Sequence, residues 1–171
     1  MVTVTMKSWT RGGVRIGKAL LERVNEEARA GWAKDEESCG LLLGPATDEL
    51  LVDEIFPMVN RAAKLHAMDP ETYPRTARTY FDLDPLKFER AIQKGDAEGR
   101  PVKVLYHSHL DVGAYFSETD AAAAKMGGDA PAYELAYLVT SVRGGAVDDR
   151  KLFVWDARER AFVEAELRVV E

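Results

Sequence analysis

The chain has 171 residues, 46% of them hydrophobic and 30% charged, which is enough for one sizeable core, short for two, and ordinary for a globular domain. No stretch approaches the roughly 18 apolar residues of a membrane span, and residues Met1 to Gly13 lack the apolar core of a secretory leader. Asp and Glu outnumber Lys and Arg 29 to 23, for a formal net charge of −6, against the basic face that a nucleic-acid backbone requires. A single cysteine, Cys39, excludes internal disulfides and multi-cysteine zinc sites, and suits a reducing cytoplasm.

No internal repeat, low-complexity tract or Pro/Gly/Ser linker interrupts residues 1–171, so one domain is expected. Gly12 to Ala19 approximates a phosphate-binding loop, but Ala19 stands where Ser or Thr should hold Mg²⁺. Arg11 to Lys18 therefore reads as a turn feeding a first helix, whose apolar face is Ile16, Leu20, Val24 and Ala28. Ser38 to Pro45 is a short apolar run closed by Gly-Pro and reads as a buried strand. Leu50 to Phe56 is a second strand, stopped by Pro57. Arg61 to Thr76 reads as a long loop, and Ala77 to Leu83 as a strand.

Asp84 is the N-cap and Pro85 the first residue of a helix running to about Gly95. Val102 to Tyr106 and Leu135 to Thr140 are apolar strands, and Gly144-Gly145 mark a turn. Leu152 to Trp155 and Phe162 to Val170 form a closing antiparallel pair. In the latter, Val163, Ala165, Leu167 and Val169 alternate with mostly charged residues, as one half-exposed face requires. Strands mixed with about three helices define an α/β or α+β domain. Trp9, Trp32 and Trp155 are assigned to packing.

Two of the three histidines stand one residue apart, in His107-Ser108-His109, at the end of an apolar strand. Side chains at i and i+2 of a strand share a face, so both imidazoles can converge on one point. Two imidazoles and a carboxylate, with the fourth position left to water, are the donor set of a catalytic zinc site. Ser117-Glu118-Thr119-Asp120 opens a helix, with Ser117 at the N-cap and an acid three residues on. That helix could point Asp120 back at the strand; Asp111 is the competing carboxylate.

The complete arrangement, His-x-His, seven residues, then Ser-x-x-Asp, resembles the signature of the JAMM metalloproteases, also called MPN-plus domains. Glu37-Ser38-Cys39-Gly40-Leu41-Leu42-Leu43-Gly44 resembles the upstream glutamate element of the compact prokaryotic members. The resemblance extends over roughly residues 16 to 140, including Asn60 and Phe81 to Pro85. Leu110 departs from the proline that many eukaryotic members carry after the second histidine. The resemblance implies a cytidine-deaminase-like mixed β-sheet flanked by helices. It also implies that His107, His109 and Asp120 bind Zn²⁺, that Glu37 is the general base, and that Ser117 stabilises the oxyanion. Locally, Glu37 is one acid of the run Asp35-Glu36-Glu37, and nothing in that run selects it.

The implied activity is hydrolysis of a peptide or isopeptide bond at the C-terminal tail of a ubiquitin-like protein, with a sulfur carrier as the expected partner. The tail is expected to lie extended beside a sheet edge. A deubiquitinase-like isopeptidase and a non-catalytic MPN interaction module are the alternatives. The modest segment Arg61 to Thr76 favours a smaller carrier over ubiquitin, and retention of the full residue set argues against the scaffold. A cysteine hydrolase built on Cys39 needs an accessible thiol. The zinc nucleobase deaminases need a Pro-Cys-x-x-Cys element that the chain lacks.

Overall fold

A computed structural model describes residues 7–171. A short 3-10 turn, Ser8–Thr10, precedes strand β1 (Gly13–Gly17), which runs directly into helix α1 (Lys18–Ala33). Strands β2 (Cys39–Leu43), β3 (Leu51–Val52) and β4 (Glu54–Met58) follow, then helices α2 (Ala62–Met68) and α3 (Pro85–Ala97). The remainder is β5 (Val102–Leu110), α4 (Glu118–Lys125), β6 (Ala136–Arg143), β7 (Ala146–Asp156) and β8 (Ala161–Val170). All eight strands form one sheet in the order β3-β1-β8-β7-β6-β5-β2-β4. The β1–β3, β1–β8 and β5–β6 pairs are parallel and the rest antiparallel. This is a mixed α/β sheet flanked by helices. Among the described residues no helix is long and apolar enough to cross a membrane.

Period-2 alternation divides the central strands between two cores. Leu42, Val104, Tyr106 and Leu138 meet Leu20, Leu21 and Val24 of α1 on one face. Leu41, Leu105 and Tyr137 meet Phe88 of α3 on the other. With both faces covered, β2 and β5 are buried along their whole length, which is why they read as continuous apolar runs rather than alternating ones. Between Leu42 and Leu43 the β2–β5 register slips, leaving Lys103 as the extra residue of β5. Lys103 is fully buried, and its Nζ donates to the carbonyl oxygens of Pro45, Asp48 and Leu51, each at 2.9 Å. All three ammonium protons thus have acceptors.

Several sequence expectations need correction. Arg11 to Lys18 is not a turn: most of it is β1, held between β3 and β8, and Ile16 belongs to that strand rather than to α1. The Leu50–Phe56 run splits at Asp53, whose N–H donates to Leu43 O (2.9 Å). Its halves join opposite edges of the sheet, and β4 continues through Pro57 because an edge strand tolerates a missing donor. The segment Arg61–Thr76 contains α2. Ala77–Leu83 is not a strand, because its backbone groups bond to Glu37 and Asn60 instead of to a neighbouring ladder. Finally, β5 runs past Tyr106 to Leu110, so His107 and His109 are part of the strand, close to its C-terminal end.

Candidate metal centre

Both histidines project from the α3 face of β5 and are almost wholly buried. Their Nε2 atoms lie 3.2 Å apart. Asp120 Oδ2 lies 3.2 Å from His107 Nε2 and 3.2 Å from His109 Nε2, closing an equilateral triangle of donor atoms. Tetrahedral ligands at about 2.0–2.1 Å from a zinc ion stand about 3.3–3.4 Å from one another, so the residues fit the metal.

Local structure holds each donor. His109 Nδ1 bonds to Gly113 O at 2.9 Å, which aims Nε2 inward, as an outer hydrogen bond does for a metal-binding histidine. Phe81 stacks on the His107 ring at 4.5 Å. Asp120 is the third residue of α4 and part of a capping box. Ser117 Oγ accepts from Asp120 N (3.0 Å), and Asp120 Oδ2 accepts from Ser117 N (3.0 Å). The helix cap and the aspartate's position are therefore one device, and the Ser117 hydroxyl proton stays free to donate. Asp111, the competing carboxylate, does not reach the triangle. It sits on the surface at φ 61°, accepting from Trp32 Nε1, Arg78 and Gly144 N.

Glu37 arrives from the residues before β2 and is 5% exposed. One donor atom each from Glu37, His107 and His109 falls within 4.8 Å of the others, and Glu37 Oε1 is buried with no hydrogen-bond partner. Its backbone is fixed on both sides: Glu37 N donates to Ala77 O (2.7 Å), and Glu37 O accepts from Asn60 Nδ2 (3.0 Å). Asn60 Nδ2 also donates to Tyr80 O, while Asn60 Oδ1 accepts from Ala62 N and Asp82 N. Ser108, between the histidines, faces the opposite side and accepts from Ser38 N (2.8 Å) and Ser38 Oγ (3.0 Å), tying the residue after Glu37 to β5.

The two carboxyl groups are driven in opposite directions. Burial, reinforced by the charge of Asp120, pushes Glu37 up to about 9, with Arg75 pulling the other way. Burial also acts to raise Asp120, but His107 and the hydrogen bonds from His107, His109 and Ser117 N hold it below the ordinary carboxylate range. Burial lowers His107, favouring the neutral imidazole that a metal requires. Carboxyl groups whose surroundings separate them in this way are suited to different tasks, one as a permanent anion and one as a proton carrier.

All five residues singled out in the sequence, Glu37, His107, His109, Ser117 and Asp120, thus gather in one place. Asn60, Phe81 and Gly113 complete the surroundings. The contacts of Asn60 and Phe81 link separate elements, so only the family resemblance pointed towards those two, and nothing in the sequence marked Gly113, four residues after His109. Cys39 is buried and burial raises its thiol, which removes the nucleophile a cysteine hydrolase needs. His66 lies on α2 with Nδ1 bonded to Tyr73 O (2.8 Å), apart from this cluster.

A buried two-histidine, one-aspartate triangle with a glutamate beside it, on a helix-flanked mixed sheet, defines a mixed α/β domain with a candidate metal centre. Within that class the chain belongs to the family described as prokaryotic homologs of the JAB domain, whose model matches residues 17–156. Solved structures show the same fold. Protein DSY2949 from Desulfitobacterium hafniense is 21% identical, with a TM-score of 0.63 over 92% of this chain and 93% of its own. A protein from Salinibacter ruber is 24% identical, with a TM-score of 0.59 over 92% of each chain. A JAB1/MPN domain protein from Archaeoglobus fulgidus, AF2198, is 19% identical, with a TM-score of 0.53 over 92% of this chain and 100% of its own. No curated protein matches the chain in sequence.

Proposed function

We propose that the protein is a zinc-dependent metallopeptidase that hydrolyses a peptide or isopeptide bond at the C-terminal tail of a ubiquitin-like protein, a sulfur carrier foremost. The observation that carries this reading is the 3.2 Å triangle of His107 Nε2, His109 Nε2 and Asp120 Oδ2 beside the buried, unpartnered Glu37 Oε1.

His107, His109 and Asp120 would hold the ion. Bound zinc supplies a Lewis acid and a water whose pKa falls to about 7. Glu37 takes a proton from the attacking water and delivers it to the leaving amine. The oxygen of the water ends on the acyl carbon, the C–N bond breaks, and the amine leaves protonated. Ser117, with its hydroxyl proton uncommitted, donates to the oxyanion; removal of one such donor typically costs about 10²–10³-fold in kcat. Ser108 is structural. The outer edge of β4, whose C-terminal end adjoins Asn60 and Glu37, is open, and supports docking of an extended tail by strand addition.

The test is Glu37→Gln measured beside Asp120→Asn on carriers extended at their C-termini, with products weighed by mass spectrometry. Glu37→Gln keeps about one zinc per chain and loses hydrolysis, whereas Asp120→Asn loses both. Full hydrolysis by Glu37→Gln, or by a metal-free preparation, would overturn the proposal.

A further inference from the structure

Asp111 directly follows the strand that carries both histidines and is exposed, yet its carboxylate gathers three separate parts of the chain. Oδ1 accepts from Gly144 N (2.9 Å), in the turn between β6 and β7. Oδ2 accepts from Trp32 Nε1 (3.2 Å), at the end of α1, and from Arg78 Nη2 (3.2 Å). The backbone is held as well: Asp111 N donates to Val142 O (2.8 Å), and Asp111 O accepts from Arg143 Nη1 (3.3 Å). Its φ of 61° lies in the left-handed region, which Asp and Asn tolerate better than other side chains. An exposed ion pair stabilises a fold by about 1 kcal/mol or less, so stability is a weak reason for so many contacts on one surface side chain.

These contacts lead to the metal centre from two sides. Gly113, two residues on, has φ 95° and offers its carbonyl oxygen to His109 Nδ1 (2.9 Å). A carbonyl only accepts, so Nδ1 carries the proton and Nε2 is the nitrogen left for a metal. The Arg143 guanidinium lies against the same glycine: a Cβ on Gly113 would stand 3.2 Å from Nη2. On the other side, Arg78 follows Ala77, whose carbonyl oxygen accepts from Glu37 N (2.7 Å). Arg78 Nη1 donates to Asp35, two residues before Glu37. One guanidinium thus ties Asp111 to both ends of the backbone around Glu37.

We infer that Asp111 is a positioning residue: it fixes Gly113 O against His109 and, through Arg78, braces the backbone around Glu37, so that metal ligand and base keep one register. A misplacement of about 1 Å in such a site can cost about 10²-fold in rate. Asp111 itself touches neither metal nor substrate. This rests on the metal-centre reading above and adds a brace outside its five residues.

The experiment compares wild type, Asp111→Gly, Asp111→Asn and Arg78→Met. Glycine removes the carboxylate and keeps the left-handed backbone accessible; asparagine also keeps an acceptor for Gly144 N. Zinc affinity is read by competition with a chromogenic chelator, and amide hydrogen exchange of the metal-free protein by NMR. Asp111→Gly is expected to lose about 10- to 100-fold in zinc affinity, as when a metal-binding histidine loses its outer partner, Asp111→Asn less, and Arg78→Met, which cuts only the Glu37 arm, about twofold or less. In the metal-free protein the Glu37 amide exchanges about tenfold faster in Asp111→Gly and in Arg78→Met, while the amides of Leu152 and Val154 in β7 keep the wild-type rate.

Zinc affinity in Asp111→Gly within about twofold of wild type, or exchange that rises equally at Glu37 and Val154, overturns the assignment, since a carboxylate that only stabilises the fold gives that result. Where Asp111→Gly does not fold, Asp111→Asn decides by the same two readings. If wild type binds no zinc, the metal-centre reading fails, and exchange decides the brace by itself: selective loosening at Glu37 sustains it, and its absence overturns it.

Discussion

Glu37 concentrates the chemical tension of the molecule. Its folded pKa of about 9 lies above the roughly 4.3 of an unfolded glutamate, so between those values the native state keeps a proton that the unfolded state has released. Stability of the metal-free protein is therefore fully present below about pH 4 and declines as pH rises towards 9. Glu37→Gln removes that loss. Chelator-treated Glu37→Gln protein is expected to be more stable than chelator-treated wild type by up to about 5 kcal/mol at pH 8, and nearly equal to it at pH 4. Urea denaturation at the two pH values reads this directly. Equal stability at pH 8 would mean that the carboxyl is not under this strain. The converse holds for Asp120, whose three hydrogen bonds favour its anion.

At the scale of elements, the centre depends on connections that are distant in sequence. Asn60 satisfies four backbone groups at once, those of Glu37, Tyr80, Ala62 and Asp82. Asn60→Ala leaves buried groups unpaired and is expected to cost about 3 kcal/mol, with hydrolysis falling as Glu37 loosens. Asn60→Asp retains the two acceptor bonds and should fall between, by chemical denaturation. Gly40 illustrates the packing of β2 against β5. A Cβ there would stand 2.5 Å from Tyr106 Oη and 2.6 Å from Phe56 O. Gly40→Ala is expected to cost about 2 kcal/mol. Tyr106→Phe should not rescue it, because the Phe56 carbonyl remains.

The same elements show what a linear reading captures. The caps of α3 and α4 were legible because Asp84 and Ser117 bond within three residues of themselves. The shared face of His107 and His109 followed from strand periodicity, and the helix start put Asp120 within reach. Glu37 was not separable from Asp35 and Glu36 by local pattern. What distinguishes it is the pairing of Cys39 with His107, which brings the residues before β2 alongside the histidines. Ala77–Leu83 misled because it has strand-like composition, while the backbone groups of Ala77, Tyr80 and Asp82 find partners 20 or more residues upstream. Leu50–Phe56 misled because Asp53 diverts one apolar run into two strands.

For the whole molecule, the proposed metal would be coupled to the core. A ligand present at about a thousand times its dissociation constant adds about 4 kcal/mol of stability. Stripping zinc with a chelator is expected to lower the melting temperature by about 10 °C. His107→Ala abolishes that difference and Glu37→Gln preserves it, as calorimetry would record. Lys103 tests a different part of the framework. Its three carbonyl acceptors all lie between β2 and the end of β3's first residue, so Lys103→Met unties that connection and is expected to cost about 2 kcal/mol without altering zinc content.

The position of β8 governs how this chain must come together. The last strand in sequence lies between β1 and β7, so β1 and β3 have no route into the sheet until residues 161–170 are in place. On a ribosome, β1 waits for β8. Loss of the final ten or so residues would strand the amino-terminal edge as well as remove a single β-element, leaving two ladders open to pairing with other chains.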